Sequence, residues 1–309
     1  MTDLITGIHH ITAIAADTQG CVDFYTRVLG LSLVKLTVNF DDPGTYHLYF
    51  GDADGRPGSI LTFFPFAMAA PGRSGSGVVD TTTFLVPAES LEDWIVKLEG
   101  HGIVTEGPDQ RFGQPFIAFT DPDGLKLELA AAETGTGDAI LGFAGATLWS
   151  LAPDRTLRLL TEGLGYAVVG EEAGRTRLRA AGDAQIGAHI DVITATGATR
   201  ARPGAGTVHH IAFRVPDDAA QEEWREKIAS LGYDVTPVID RQYFHSVYFR
   251  ERGGILFEIA TDPPGFAVDE APDRLGTALM LPSRYENDRD RIEKRLPPVR
   301  LPGGETVGG

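Results

Sequence analysis

Two histidine doublets, His9–His10 and His209–His210, stand at the same point of two similar segments, GIHHITAIA and GTVHHIAFRV. A carboxylate, Glu258, lies in a third segment, ILFEIAT. Read as strands, neighbouring residues in each segment face opposite ways. Ile211, Phe213 and Val215 then share a face with His209, which should pack on a helix, and His210 turns away with Ala212 and Arg214. The earlier doublet divides less decisively, His9 with Ile11 and Ala13, His10 with Thr12 and Ile14. In the closing strand Ile255, Phe257 and Ile259 form the apolar row, and Glu258 lies opposite. His10, His210 and Glu258 are therefore expected on helix-free, concave faces. Two imidazoles and one carboxylate converging there would form a facial metal triad with adjacent positions open. That set suits non-haem Fe(II) with O2 as co-substrate, and Mn(II) as a substitute. A strand histidine also serves well as a hydrogen-bonded core residue. The repetition of the doublet in one frame, rather than either doublet alone, carries the metal reading.

Other polar residues lie close by in sequence. His9 and His209 either hydrogen-bond the metal-binding pair or are core histidines satisfied by backbone carbonyls. RQYFHSVYF (Arg241–Phe249) precedes the glutamate strand, and Tyr248 is placed to lie on an adjacent hairpin strand. A tyrosine hydroxyl and the Arg241 guanidinium aimed at the open positions would stabilise a bound phenolate. The competing reading of Arg241 is a solvated charge at a strand end. His245 has the wrong parity to share a face with Tyr248 and ranks below it as an acid–base group. His47, in TYHLYF, is either a strand residue or a pocket wall, and His101 and His189 read as structural or exposed.

The elements that must position these residues repeat four times. GVVDTTTFLVP (Gly77–Pro87) and GTVHHIAFRVP (Gly206–Pro216) superpose. Each leads into a helix pattern closed by glycine: Leu91, Trp94, Ile95 and Leu98 before Gly100, and Ala220, Trp224, Ile228 and Leu231 before Gly232. The closing segments Asp121–Ala131 and Glu251–Thr261 match as well, with Glu128 opposite Glu258. Weaker copies begin at Gly7 and Gly142, with helix patterns at Cys21, Phe24, Tyr25 and Val28 and at Leu157, Leu160 and Leu164. The expected fold is α+β: four βαβββ modules in two tandem pairs, at 4–132 and 140–266, with a tail at 267–309. A helix is expected within Tyr285–Leu296, and the terminal GGETVGG is expected to fray. The chain of 309 residues carries a formal charge of −16, which argues against nucleic-acid binding. No apolar run is long enough for a membrane span, and the start lacks a secretory pattern. With a lone cysteine, Cys21, the expected setting is cytoplasmic. A homo-oligomer is compatible with all of this.

The four-module pattern resembles the vicinal oxygen chelate superfamily of glyoxalases, bleomycin resistance proteins and extradiol dioxygenases. More narrowly, GIHHITAIA, VKLTVNFDDPGTYHLYFGD, GSILTFFPF, GTVHHIAFRV and RQYFHSVYFRERGGILFEIATDPPGF resemble the hydroquinone ring-cleaving dioxygenases. The likeness spans nearly the whole chain, including the late LPSRYENDRDRIEKRLPP. It implies a small aromatic substrate and Fe(II) held by His10, His210 and Glu258, with His9, His209, Arg241, Tyr248 and Thr12 around the pocket. The third module, GFAGATL, has no histidine in its first strand, so modules one and four are expected to pair into the working cup. Modules two and three would make an empty one. There Asp80 and Thr81 replace the doublet, leaving Glu128 a structural role. Two other functions compete. A glyoxalase-like lyase or isomerase needs a second carboxylate where Thr62 falls, opposite Glu258. A non-enzymatic small-molecule binder would not need the triad.

Overall fold

The structure, a computed structural model, describes residues 5–194 and 199–309; the expected domain start at residue 4 lies outside them. Module one comprises β1 (Ile8–Ala15), α1 (Thr18–Asp23), β2 (Ser32–Asn39), β3 (Asp42–Gly51) and β4 (Ile60–Pro65). Module two comprises β5 (Val78–Pro87), α2 (Leu91–Gly100), β6 (Glu106–Arg111), β7 (Gln114–Thr120) and β8 (Lys126–Ala132). Module three comprises β9 (Gly142–Trp149), α3 (Pro153–Arg158), β10 (Ala167–Glu172), β11 (Arg175–Arg179) and β12 (His189–Ile193). Module four comprises β13 (Thr207–Val215), α4 (Asp218–Ser230), β14 (Ile239–Asp240), β15 (Phe244–Arg250) and β16 (Leu256–Pro264). Local chemistry starts and stops the helices. Asp17 and Asp217 cap α1 and α4 with their carboxylates. Gly232 takes φ +81° past α4. In module two the helix runs through Gly100, and the left-handed turn falls at Gly102 (φ +76°), two residues later than the apolar spacing predicts.

Modules one and four form one eight-stranded sheet, in the order β14-β15-β16-β13-β1-β4-β3-β2. Modules three and two form the other, β10-β11-β12-β9-β5-β8-β7-β6. Each sheet thus takes one module from each tandem pair, as the distribution of the histidines requires. The central pair of the first sheet, β1 and β13, is antiparallel and slips register twice. Ile8 opposes Phe213 while His10 opposes Ala212, and Thr12 opposes His210 while Ala13 opposes Val208. His9 and His209 are the unmatched residues of two β-bulges. Strict alternation therefore fails at both points. Ile8 and Ile11, three residues apart, lie in one core cluster, as do Val208 and Ile211. The expected helix-side placement of His9 and His209 is corrected accordingly: each bulge turns its extra histidine to the side of its neighbour.

The tail is also ordered to its end, contrary to the expected fraying. A 3-10 turn (Ser283–Asp288) leads into α5 (Arg289–Glu293). Strands β17 (Val299–Arg300) and β18 (Thr306–Val307) then pair, and the Gly309 amide donates to the Glu293 and Leu296 carbonyls. The tail lies along module one, where the Tyr46 hydroxyl donates to the Pro297 carbonyl at 3.0 Å.

Candidate metal centre

His10, His210 and Glu258 each offer one ligand atom, and these atoms lie within 4.8 Å of one another. The two Nε2 atoms are 3.4 Å apart. Glu258 Oε2 lies 2.9 Å from His210 Nε2 and 3.3 Å from His10 Nε2. All three side chains are buried. The sheet brings them together directly, because β13 lies between β1 and β16 and Glu258 sits beside Ala212.

The remaining nitrogen of each inward imidazole meets the bulged histidine next to it. His9 Nδ1 is 2.9 Å from His10 Nδ1, and His209 Nδ1 is 2.7 Å from His210 Nδ1. Such a bond fixes ring orientation and tautomer, the usual task of the partner behind a metal-bound histidine. Burial, aided by His10, lowers the basicity of His9, and burial lowers that of His210. His209 is drawn down to about 4 by burial and by His210. With Nδ1 engaged by a neighbouring histidine, each inward ring presents its Nε2 to the centre. Burial of Glu258 opposes its ionisation, but His10 and His210 outweigh that and hold its carboxyl well below the usual range. Its Oε1 accepts from the Ser246 hydroxyl, whereas its buried Oε2 has no hydrogen-bond partner. Three electron-rich atoms facing one another with an unsatisfied carboxylate oxygen suit a divalent cation, which would satisfy all three at once.

The centre opens on a cavity of about 270 Å³. Phe40, Phe64, Phe66, Phe244 and Leu256 give it apolar walls, and His47, His209, Arg241 and Tyr248 supply polar groups. Tyr248 lies beside Glu258 on the adjacent strand. Its hydroxyl accepts from Arg241 Nε at 3.3 Å, and Arg241 Nη1 donates to Asp41 Oδ2 at 3.1 Å. Burial pushes the Tyr248 hydroxyl pKa upward, so it stays protonated near neutrality. His47 is a pocket wall. Its Nδ1 bonds the Tyr49 hydroxyl and its Nε2 bonds Thr62, both at 2.9 Å, and Thr62 bonds Thr12 at 2.8 Å.

His9 packs edge-on against Phe244 and does not line the cavity. His245 pairs with Asp218 at 2.6 Å in a separate, wider surface groove of about 750 Å³ that contains none of the three converging residues. Sequence reasoning missed Ser246, although its parity with Tyr248 puts both on one face. It also missed Phe244, which opens β15 and packs on His9 and His10, and Asp41, whose role depends on the β2–β3 turn reaching across the mouth.

The second sheet has no equivalent site among the described residues. Asp80 and Ala144 occupy the matching bulges. Arg111 takes both Glu128 oxygens, at 2.8 and 2.9 Å, and Arg177 pairs with Asp191 at 2.7 Å. These pairs fill the cup, leaving a cavity of about 20 Å³.

The family model for the glyoxalase/bleomycin resistance protein/dioxygenase superfamily matches residues 7–129 and 146–259. The chain belongs to that superfamily. Among superfamily relatives, a Bacillus subtilis protein named as a ring-cleaving dioxygenase, MhqO, is 51% identical, covering 96% of this chain and 97% of that one. The chlorohydroquinone/hydroquinone 1,2-dioxygenase of Sphingobium indicum is 30% identical, covering 96% and 97% respectively. A crystal structure described as a Bacillus subtilis dioxygenase aligns with a TM-score of 0.92 at 49% identity, covering 97% of this chain and 99% of that one. Maize glyoxalase I aligns with a TM-score of 0.64 at 13% identity over 83% of this chain and 92% of its own, a likeness of fold alone. Dioxygenases of the superfamily depend on a metal, and the His–His–Glu cluster here is a possible place for one.

Proposed function

We propose that this protein is an Fe(II)-dependent dioxygenase that opens the ring of a hydroquinone- or catechol-type aromatic. The observation that carries the reading is the convergence of His10, His210 and Glu258 at an apolar-walled pocket in a chain whose relatives are named as ring-cleaving or hydroquinone dioxygenases. Iron(II) at those residues, with Mn(II) as a substitute, would supply redox coupling between a ring hydroxyl and O2. A carbon–carbon bond of the ring breaks, both oxygen atoms enter the opened unsaturated product, and the ring electrons reduce O2 without an outside reductant.

The chain's own residues supply binding and proton control. The aromatic side chains hold the ring and exclude water. Burial works against the Arg241 charge, but Tyr248 and Asp41 more than offset it, so the guanidinium stays protonated and steadies a phenolate. With its Nδ1 engaged by His210, neutral His209 offers an Nε2–H that would steady negative charge on the ring, and protonated Tyr248 would donate a proton. His9 orients His10. The glyoxalase-like alternative is disfavoured because Thr62, not a carboxylate, is the counterpart of Glu258: it opposes Thr12 as Glu258 opposes Ala212. A non-enzymatic binder would leave the paired histidines without a task. A cytoplasmic setting is supported by the free, buried Cys21. Among the described residues no helix is long and apolar enough to cross a membrane.

Anaerobic loading with Fe(II), followed by O2 and hydroquinone or a substituted catechol, should give stoichiometric oxygen uptake and a new near-ultraviolet product band. Absence of uptake with both substrate classes, together with turnover of a hemithioacetal, would favour the isomerase. A second expectation concerns the bulges. His209→Ala should weaken metal binding about 10–100-fold in an equilibrium titration while the fold persists. Unchanged affinity would remove His209 from the centre.

A further inference from the structure

The two sheets close their open edges differently. In the second sheet the edges meet directly: the Phe112 amide after β6 donates to Glu172 of β10, and the Phe112 ring lies under Arg177 at 4.4 Å. In the first sheet the edges are β2 and the β14–β15 hairpin. Across the mouth they share the Asp41–Arg241 ion pair. Deeper in the cup, the tail joins them.

Lys35 of β2 is completely buried, and its ammonium meets two tail carboxylates, Asp269 at 2.6 Å and Glu270. The second oxygen of Asp269 accepts from Gln242 Nε2 at 2.6 Å and from the Tyr243 hydroxyl at 3.0 Å. One carboxylate therefore ties the β2 edge to the two residues that follow Arg241. Gln242 holds a left-handed backbone, φ +66°. That strained turn persists only where its surroundings hold it, and its side-chain tether is Asp269. Phe266 packs 5.1 Å from both Tyr49 and Tyr243, filling the space between the edges.

We propose that Asp269 is a positioning residue: by clasping Lys35 to the Gln242–Tyr243 turn, it fixes the Arg241 guanidinium over Tyr248 at the pocket. The tail is thus part of the working cup, supplying the closure that the second sheet achieves without help. A buried ion cluster is poor evidence of stability gain, but it specifies one geometry well, which matches this task. The proposal rests on the ring-cleavage reading for its kinetic consequence, but not for its structural one.

The test uses the full-length, Fe(II)-loaded protein. Asp269→Asn should lower kcat about tenfold with little change in KM, because a misplaced Arg241 serves the reacting ring poorly. Metal content should match the parent. In an Arg241→Ala background the same substitution should cause almost no further loss, since the group it positions is gone. Equal losses in both backgrounds, or an unchanged kcat, would overturn the proposal. If Asp269→Asn fails to fold, Gln242→Asn serves instead, being too short to reach Asp269 yet suited to the left-handed turn. Amide hydrogen exchange on metal-free protein provides a readout independent of activity. Exchange over residues 239–246 should quicken in either variant while β1 and β13 keep their protection. Unchanged exchange would also overturn the clasp, whereas a parent protein inert towards hydroquinones and catechols would overturn only the ring-cleavage reading.

Discussion

His210→Ala should lose stoichiometric iron and at least about a thousandfold in turnover, because the metal term it removes amounts to several kcal/mol. The imidazole lies 2.9 Å from Glu258 Oε2 and 3.4 Å from His10 Nε2, so its removal leaves the buried carboxylate facing one ring rather than two. Glu258 then loses much of what keeps it ionised in a dry site, and a two-residue remnant binds a divalent ion poorly. His209 loses its partner as well. The fold should survive, since β13 stays paired on both sides with β1 and β16. Metal analysis of the purified variant decides the matter: normal iron content would dismiss His210 as a ligand. His245→Ala makes a suitable comparison, because His245 pairs with Asp218 outside the pocket and should leave both quantities alone.

Tyr248→Phe is expected to separate binding from turnover. The ring stays against His210, 5.7 Å between centroids, and the three converging residues are untouched, so iron content should equal that of the parent. What disappears is the hydroxyl that accepts from Arg241 Nε. Loss of a proton donor held at the reacting ring costs about a hundredfold, the lower range for general acid–base groups. Rapid mixing of the reduced, substrate-bound variant with O2 would measure it. A rate equal to the parent's would take Tyr248 out of the chemistry.

Much of this site is legible in the amino-acid sequence. Alternation along single strands puts His10, His210 and Glu258 on one side of their strands, and they converge there. The same rule misplaces His9 and His209, because each sits at a bulge. A trace of those bulges is present in the sequence: Ile8 and Ile11, like Val208 and Ile211, are apolar pairs at a spacing that alternation sends to opposite faces. The register slip itself is shared by modules with and without the histidines. Asp80 occupies the same bulge in module two, so the irregularity belongs to the module and the doublet exploits it.

What the chain determined by itself was whatever one strand or helix decides locally: the fourfold repeat, the capped helices, and the side of each strand on which the three converging residues fall. Covalent geometry sets these, and residues within a few positions suffice to read them. Tertiary structure alone decided the rest. The slips that re-aim His9 and His209 exist only where β1 meets β13, some two hundred residues apart in the chain. The filling of the second cup by Arg111 and Glu128, the reach of Asp41 to Arg241, and the grip of Asp269 on Lys35 and Gln242 likewise join segments that no local pattern connects. Long-range contacts of this kind follow from which whole faces pack best together, a comparison of energies summed over the entire sheet.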